Sequence, residues 1–410
     1  MNRACVFRAA LSGLLLWVAA VGAWAQELTP EIRTEILTAI EKIVMERAFV
    51  PLQDLKKWPE HVEKHRESID KAEDRGAFVR EVNRALREFG FSHIRFRTPT
   101  AAEARQRTTV IGVGLTARPE KDGLIVVAVT AKSPAEEQGV KAGQVIVEVD
   151  GKVPESPTAL SGEEGTDVKL KIKDEAGAER EITLKRQRFS AFRPDTLSWP
   201  DEESAVLRVQ SFSRGYNQKA VEELMKEAAK AKYLVLDLRS NGGGAVNNLQ
   251  HMLSLLLPPD TVIGTFINRS TFDAYSKAKP GASATLLEIA EWTERKYKTS
   301  KKAVEPFAGK VAVLVNRGSA SASEICSSAL REVLGAPLIG GRTAGAVLAS
   351  VYGKLPQGYE IQYPISDYVS AKGVRLESNP IVPDHEVAGT RTEDGKDPGI
   401  EKALELLKAG

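Results

Sequence analysis

The sequence predicts a multidomain α/β (α+β) protein, and three observations predict this class. The chain has 410 residues, which is enough for two or three domains. Its composition, 42% hydrophobic and 27% charged, is that of a folded protein and excludes wholesale disorder. The apolar pattern has helical spacing before residue 91, is strand-like between turns after residue 109, and alternates between strands and helices after residue 204.

The first 25 residues have the pattern of a secretory signal peptide. Arg3 and Arg8 precede an uncharged run that closes with the small-x-small pattern Ala23-Trp24-Ala25. A basic start, an apolar centre and a small-residue exit predict cleavage near Ala25 and export to the periplasm or the medium. At 17 residues the run is at the lower limit for a bilayer span, so a retained anchor is the alternative. We expect no membrane span in the mature chain.

Removal of that segment leaves a neutral chain. Lys and Arg total 57 against 55 acidic residues, and the loss of Arg3 and Arg8 leaves 55 of each. No basic run breaks this balance, so nucleic acid is not an expected partner.

Residues 26–108 are predicted to form a helical region. Apolar residues recur at helical spacing from Ile32 to Val44 and from Phe78 to Phe89, and Gly90 follows as a stop signal. The charged stretch from Lys56 to Arg75 is typical of a solvated face or a linker.

Residues 109–188 are predicted to be a small domain of short strands. Turn signals such as Asp150-Gly151-Lys152 separate the strand candidates, which are Val110–Leu115, Leu124–Val129, Val145–Val149, Val168–Lys173 and Glu181–Leu184. The segment SPAEEQGVKAGQVIVEVDGKVP resembles the core of a PDZ domain. That resemblance implies a carboxylate-binding loop at Gly112, Val113, Gly114 and Leu115, where backbone N–H groups would hold the C-terminus of a peptide. The alternative is that the two glycines only serve a tight turn.

Residues 189–410 are predicted to form an α/β crossover core. Strand candidates Ala205–Val209 and Tyr233–Leu238 flank the helix Gln218–Lys230, and Val311–Val315 is an unbroken apolar run of the kind that is buried on both faces. That run leads into the helix Ser321–Leu334. A β-rich return is expected from Val351 to Ile365.

The strongest chemical signal is the turn between that strand and that helix, Asn316-Arg317-Gly318-Ser319-Ala320-Ser321-Ala322-Ser323-Glu324. A serine at a strand-to-helix turn projects its hydroxyl from the sheet edge, beside the free N–H groups of the helix. The alternative is that these serines only cap the helix.

Three motifs, together with a segment that precedes them in the chain, extend this interpretation. NRGSASASEI, LDLRSNGGG and LESNPIVPDHEV, with a PDZ-like segment ahead of them, resemble the carboxy-terminal processing peptidases, a serine peptidase family (S41) that includes the tricorn protease core and the retinoid-binding repeats. The resemblance implies that Ser321 is the nucleophile. It implies that the oxyanion hole uses the N–H of Ala322 and of Gly243, with Gly242 as the alternative. It also implies protein or peptide substrates, recognised by their C-termini.

The chain departs from the most familiar members of that family. Their serine pairs with a lysine in Thr-x-Gly-Lys-Gly, but this chain has Ala346 there, and Ser350 replaces a glutamine. The tricorn branch uses a Ser-His-Ser-Glu tetrad instead, and Ser92, His93 and Glu377 match it by motif. Histidine is a suitable base because its ordinary pKa is about 6.5. The alternatives are an inactive peptide- or ligand-binding scaffold of the same fold and a lysine-type enzyme inactivated by engineering.

Other chemistry is not indicated. His61, His65, His251 and His385 have no partner motif, and no spacing in the sequence is typical of a metal site, so neither a metal nor a cofactor is expected. The oligomeric state stays open.

Overall fold

The computed structural model describes residues 28–130, 132–174, 176–190, 192–281, 284–388 and 396–409; the proposed signal peptide lies outside them. The α-helices within these residues are α1 (Pro30–Lys42), α2 (Trp58–Lys64), α3 (Arg66–Asp70), α4 (Arg75–Arg87), α5 (Pro99–Gln106), α6 (Pro134–Glu137), α7 (Gln218–Ala228), α8 (Val246–Ser254), α9 (Arg269–Ala278), α10 (Leu286–Trp292), α11 (Ala322–Leu334) and α12 (Pro398–Ala409). A π-helix spans Ile43–Arg47, and short 3₁₀ turns span Leu55–Lys57, Pro157–Leu160 and Pro356–Gly358.

The strands are β1 (Arg95–Arg97), β2 (Thr109–Gly112), β3 (Leu115–Glu120), β4 (Gly123–Val129), β5 (Val145–Val149), β6 (Asp167–Lys173), β7 (Glu179–Lys185), β8 (Gln187–Ser190), β9 (Thr196–Asp201), β10 (Ser204–Arg208), β11 (Tyr233–Asp237), β12 (Val262–Asn268), β13 (Tyr297–Lys298), β14 (Lys310–Val315), β15 (Leu338–Gly340), β16 (Ala349–Lys354), β17 (Glu360–Ser370) and β18 (His385–Glu386). This mixture of helix and sheet confirms the predicted fold class.

The N-terminal region is helical, as predicted. The Asp74 side chain accepts a hydrogen bond from Ala77 N at 2.7 Å and so caps the start of α4. The charged stretch after residue 56 is not a linker, however, because it contains α2 and α3. Trp58 and Ile69 are buried there, so apolar side chains among the charges hold both helices against α4.

The PDZ-like segment has a hydrophobic core of its own. Its five antiparallel strands follow the order β3-β4-β5-β6-β7 around buried residues that include Leu124, Ile146 and Leu170. The first predicted strand is divided in two at Gly114, whose φ is +83°. Strands β2 and β8 pair antiparallel outside that sheet, which brings the two ends of the segment together.

The core contains a six-stranded sheet of order β18-β15-β14-β11-β10-β9, parallel except for β9. Helices α7, α8 and α11 pack on one face, and α12 packs on the other through Ala403 and Leu407. Both faces are therefore covered, which explains the unbroken apolar sequence of β14.

A second sheet has five strands. Its centre is β17, which pairs antiparallel with β1, β12 and β16, and β13 extends it beyond β12. Ile361 and Tyr363 of β17 share a hydrophobic core with α1, α4 and Phe96 of β1. The predicted β-rich return is thus β16 and β17, and it attaches the N-terminal helices to the rest of the chain.

Candidate active site

The structure distinguishes the three serines of the turn after β14. The hydroxyls of Ser319 and Ser323 are buried and donate to the carbonyls of Leu238 and Asn241, each at 2.8 Å. Ser321, between them, lines a cavity of about 700 Å³. Only the middle serine of the motif is therefore both inside the turn and open to a ligand.

The backbone at Ser321 is strained. Its φ is +57° and its ψ is −118°, in a region that residues with a side chain rarely adopt, and α11 begins at the next residue. Such strain persists only where neighbouring contacts hold the turn in place.

Glu324 supplies those contacts. Its carboxylate is fully buried and accepts hydrogen bonds from Ser321 N at 3.1 Å, Gly345 N at 2.7 Å, Ala346 N at 2.9 Å and Thr343 Oγ1 at 2.6 Å. The sequence interpretation missed this residue, although the Ser-x-x-Glu spacing of a capping box was present as a signal. Because Glu324 binds both loops, it fixes the serine turn relative to the loop in which relatives carry a lysine.

The predicted histidine site is assembled from distant parts of the chain. Ser92 Oγ lies 2.6 Å from His93 Nδ1 and donates to Glu377 Oε2 at 2.8 Å. The Ser92 N–H donates to Glu377 Oε1 at 2.7 Å, and the Val347 N–H donates to Glu377 Oε2 at 2.7 Å. Glu377 is only 3% exposed, so its charge is compensated by these donors.

This chain of hydrogen bonds assigns the proton on the imidazole. Since the hydroxyl hydrogen of Ser92 is directed to Glu377, Ser92 Oγ accepts from His93 Nδ1–H. In the neutral ring, Nε2 then carries the free lone pair. Burial lowers the pKa of His93 from its ordinary 6.5 to about 4, so the ring is neutral at pH 7.

The cavity brings together the predicted nucleophile, base and oxyanion donors. His93, Ser321, Ala322, Gly242 and Gly243 all line it. Within the described part of the chain no hydrogen bond joins His93 to Ser321. Such contacts are often long in enzymes without substrate and shorten in the substrate complex.

The glycine loop lies directly against the serine turn. A Cβ on Gly243 would be 2.6 Å from Ala320 O and 2.8 Å from Ser321 Cβ, so only glycine fits there. The Gly243 N–H already donates to Asn241 Oδ1 at 2.9 Å. Among the described residues the N–H groups of Ala322 and Gly242 have no hydrogen-bond partner. Of the two candidate glycines, Gly242, the alternative donor, is therefore the one whose N–H has no partner among the described residues.

The predicted carboxylate loop is elsewhere, in the PDZ-like sheet. Gly112 ends β2 and Leu115 begins β3; between them, the carbonyls of Val113 and Gly114 accept hydrogen bonds from Ala135 N and Thr130 N at 3.2 and 2.8 Å. None of the four loop residues lines the cavity of Ser321 and His93.

The positions that depart from the lysine-type pattern have other partners. Ala346 is held by Glu324, as described, and Ser350 Oγ accepts a hydrogen bond from Gln362 Nε2 at 2.8 Å. His251 is buried between Tyr216 and Glu222, away from the cavity. In the portion that the structure describes, no cluster of three His, Cys, Asp or Glu side chains could hold a metal ion, and no helix is long and apolar enough to cross a bilayer.

Comparison with protein families matches residues 203–387 to peptidase family S41 and residues 125–174 to the PDZ domain. The carboxyl-terminal-processing protease of Synechocystis sp. is 28% identical over 318 residues, covering 73% of this chain and 68% of the relative. The carboxy-terminal processing protease CtpA of Bacillus subtilis is 28% identical over 276 residues, covering 64% of this chain and 53% of the relative. The chain thus spans about half the length of some of these relatives.

Two solved structures share the fold. The tricorn protease superposes with a TM-score of 0.56 at 17% identity, covering 92% of this chain and 37% of that one. Mature CPAF complexed with lactacystin superposes with a TM-score of 0.51 at 13% identity, covering 92% and 98%. These two structures show the fold alone. The family matches and the serine turn lead to the conclusion on identity: residues 203–387 belong to peptidase family S41, and residues 125–174, ahead of them, belong to a PDZ domain.

Proposed function

We propose that this protein is an exported serine endopeptidase that hydrolyses peptide bonds near protein C-termini through an acyl-enzyme on Ser321. One observation carries the proposal. The strained serine and the imidazole of His93, whose Nδ1 proton is directed to Ser92, line the same cavity. A nucleophile beside a base that is oriented by a third group is the arrangement that acyl transfer requires.

In the proposed reaction His93 Nε2 takes the hydroxyl proton as Ser321 Oγ attacks the scissile carbonyl carbon. The N–H groups of Ala322 and of the glycine loop, Gly242 or Gly243, hold the resulting oxyanion. The imidazolium then gives its proton to the leaving amine, and the C–N bond breaks. Water, deprotonated by the same imidazole, then attacks the acyl carbon. The bond from that carbon to Ser321 Oγ breaks, and the imidazolium returns the proton to Ser321 Oγ. Glu377 acts through Ser92 and stabilises the charged imidazole in both halves of the reaction.

Substrate selection is proposed to use the PDZ domain. A loop of Gly112, Val113, Gly114 and Leu115 beside β3 is suited to hold a terminal carboxylate while the peptide adds to the strand edge. The names of the relatives, carboxyl-terminal-processing proteases, agree with such substrates. We further propose a signal peptide over 1–25, a helical region over 26–108, a PDZ domain over 109–188 and a catalytic core over 189–410.

A fluorophosphonate probe tests the nucleophile, because it reacts only with an activated serine hydroxyl. The intact protein should be labelled at Ser321, and Ser321→Ala should not be labelled. The matched control is Ser319→Ala, which alters the same turn but leaves the cavity serine in place and should keep the label. Labelling of Ser321→Ala at the wild-type rate would overturn the assignment.

The binding-scaffold alternative rests on Ala346, which cannot take a proton. It predicts a protein that is folded yet not labelled and that cleaves no peptide, so the same experiment decides between the two functions.

A further inference from the structure

Helix α12 begins close to the carboxyl ends of β11 and β14, where the loops of the candidate active site also begin. A small cavity of about 220 Å³ is lined there by Gly399 of this helix, by Arg239 and by Asn316 of the serine turn. The helix lies beyond residues 203–387, the part of the chain that matches the peptidase family. Three elements from distant parts of the chain therefore meet at this point.

The residue just ahead of that helix, Asp397, binds the Arg239 guanidinium with a pair of hydrogen bonds. Arg239 Nη1 donates to Asp397 Oδ1 at 3.0 Å, and Nη2 donates to Oδ2 at 2.7 Å. Arg239 Nε and Nη2 also donate to the two oxygens of the buried Asp237, at 2.9 and 2.8 Å. The Arg239 side chain is only 10% exposed, so salt weakens these ion pairs little. Two carboxylates therefore hold the guanidinium in one orientation.

The same Asp397 carboxylate caps α12. Its Oδ1 accepts hydrogen bonds from Gly399 N at 3.0 Å and from Ile400 N at 3.2 Å. One side chain thus starts the helix and ties it to Arg239. The two tasks need different atoms, because the oxygen of an aspartate or of an asparagine can cap a helix, but only a carboxylate offers a second acceptor to the guanidinium.

Arg239 lies in the turn that leads from β11 into the glycine loop, residues 241–244. Asn241 N donates to Leu238 O at 3.1 Å and closes this turn. Within the turn Ser240 has a φ of +63°, which a residue with a side chain rarely adopts. Such a conformation persists only where contacts hold it, and the Arg239 side chain supplies contacts on the side of α12.

The turn is also bound to the serine turn. Ser240 N donates to Asn316 Oδ1 at 2.8 Å, and the Asn241 carbonyl accepts from Ala320 N at 3.1 Å. A movement of this turn would therefore change the position of the glycine N–H groups relative to Ser321. An oxyanion is best stabilised by donors that are already in place when its charge develops.

We propose that Asp397 is a positioning residue of the proposed peptidase: through Arg239, it holds the glycine loop where the oxyanion forms. The inference rests on the proposed peptidase function and deepens it. Asp397 does not line the cavity of Ser321 and His93, so its loss should slow the reaction at Ser321 without weakening the binding that precedes it.

The test is the rate at which a fluorophosphonate probe labels the full-length protein, since the phosphoryl oxygen of the probe occupies the oxyanion position. Asp397→Asn keeps the cap of α12 but removes the second acceptor for Arg239. Its maximal labelling rate, kinact, should fall about tenfold, which is less than the loss of an oxyanion donor costs, because the donor is displaced and not removed. The half-saturating probe concentration, KI, should stay within about twofold. Asp397→Glu restores both acceptors and should recover part of the rate.

The matched control is Asp201→Asn. Asp201 binds Lys408 Nζ at 2.7 Å, so it ties the other end of the same helix to β9, and it lines neither cavity. Its kinact should equal that of the wild type. Circular dichroism checks that each variant is folded.

A double variant tests whether Asp397 acts through Arg239. Arg239→Lys lacks the paired donors that Asp397 binds. Arg239→Lys combined with Asp397→Asn should therefore be labelled no more slowly than Arg239→Lys alone.

Three results would overturn the proposal. An unchanged kinact in Asp397→Asn would mean that the ion pair has no influence on the site. An equal fall in Asp201→Asn would mean that any loosening of α12 slows the labelling, and additive losses in the double variant would mean that Asp397 acts without Arg239. Failure of the peptidase function has a different signature, because the wild-type protein itself would then resist the probe.

Discussion

The two sides of the cavity are built in different ways. The serine side, residues 241–244 and 319–325, is held by a local contact at the start of α11 and by hydrogen bonds that span up to 82 residues of chain, with one glycine loop packed against the turn. The histidine side, residues 92–105 and 347–377, is held by hydrogen bonds that span as many as 285 residues of chain. The strained backbone of one turn therefore presents the proposed nucleophile, whereas contacts between distant parts of the chain orient the proposed base. Substitutions on the two sides should fail in different ways.

The largest expected effect is on the serine side. Ser321→Ala should lower kcat/KM by at least about 10⁴-fold, since loss of the nucleophile removes the covalent route. Its folding should be unchanged, because the hydroxyl faces the cavity. Ser319→Ala should do the opposite: thermal unfolding should show a loss of about 1–3 kcal/mol of stability, since a buried carbonyl loses its donor, with activity retained in the folded protein. Reversal of these two phenotypes would contradict the assignment.

On the histidine side, His93→Gln should lower kcat/KM by about 10³-fold or more. Glutamine can accept a hydrogen bond but cannot carry the proton through the reaction. Adding Ala346→Lys should not restore the activity, because Ser350 stands where lysine-type relatives carry the partner glutamine. Near-normal turnover by His93→Gln would exclude the Ser-His mechanism.

Glu377→Gln should have a smaller effect, roughly 10²-fold in kcat/KM, because this carboxylate reaches the imidazole only through Ser92. Most of the loss should be in kcat, since the imidazolium forms only during the reaction. Ser92→Ala is the paired variant, and the double variant should be no worse than the more damaged single one. Additive losses would mean that the two residues act separately.

Glu324→Gln tests the same comparison, because Glu324 binds the serine turn but does not line the cavity. An amide in place of a buried carboxylate that accepts four hydrogen bonds should cost about 2 kcal/mol of stability, measured by urea unfolding. The control on the same helix is Glu332→Gln. Glu332 is only half-buried and accepts from Ser328 Oγ and Lys372 N, so its change should cost less than about 1 kcal/mol.

The smallest expected change is in the pH profile. Only neutral imidazole accepts a proton, and burial lowers the pKa of His93 to about 4. Activity should therefore be lost only as pH falls through about 4, and kcat/KM at pH 5 should be within about twofold of that at pH 7. An unperturbed histidine would give a drop of about 25-fold over the same range. Circular dichroism at each pH must show that the protein stays folded.

The same contrast explains what could be predicted from the sequence. The buried strand Val311–Val315, the serine turn and the helix ended by Gly335 follow from local patterns, and Gly335 takes the expected positive φ of 66°. The PDZ-like strands were also predicted, because turn residues separate them. Periodicity could not predict that β17 would pair with β1, or that Ser92 would meet Glu377. Only the resemblance to a family linked the motifs that contain Ser92 and Glu377. A contact between distant residues does not change the sequence pattern around either of them.

Some local expectations failed for a physical reason. The charges after Lys56 predict a solvated face or a linker. The structure has a solvated face there but no linker, because Trp58, Val62 and Ile69 are buried on the other face of α2 and α3. A few apolar residues are enough to hold a helix against its neighbour when they are large and lie on the same face of that helix. The Ser-x-x-Glu spacing indicates that Glu324 contacts the start of its helix, but not that it is buried, because its partners Thr343, Gly345 and Ala346 follow some 20 residues later.

The path of the chain through the cavity has a consequence for biosynthesis. Ser92 and His93 leave the ribosome first, Ser321 follows more than 200 residues later, and Glu377 is the last of the four. Strand β17, which anchors the N-terminal helices, also emerges late. A nascent or truncated chain therefore cannot orient the imidazole, whatever part of it has folded. The order of synthesis alone keeps the proposed peptidase latent until Glu377 has been made.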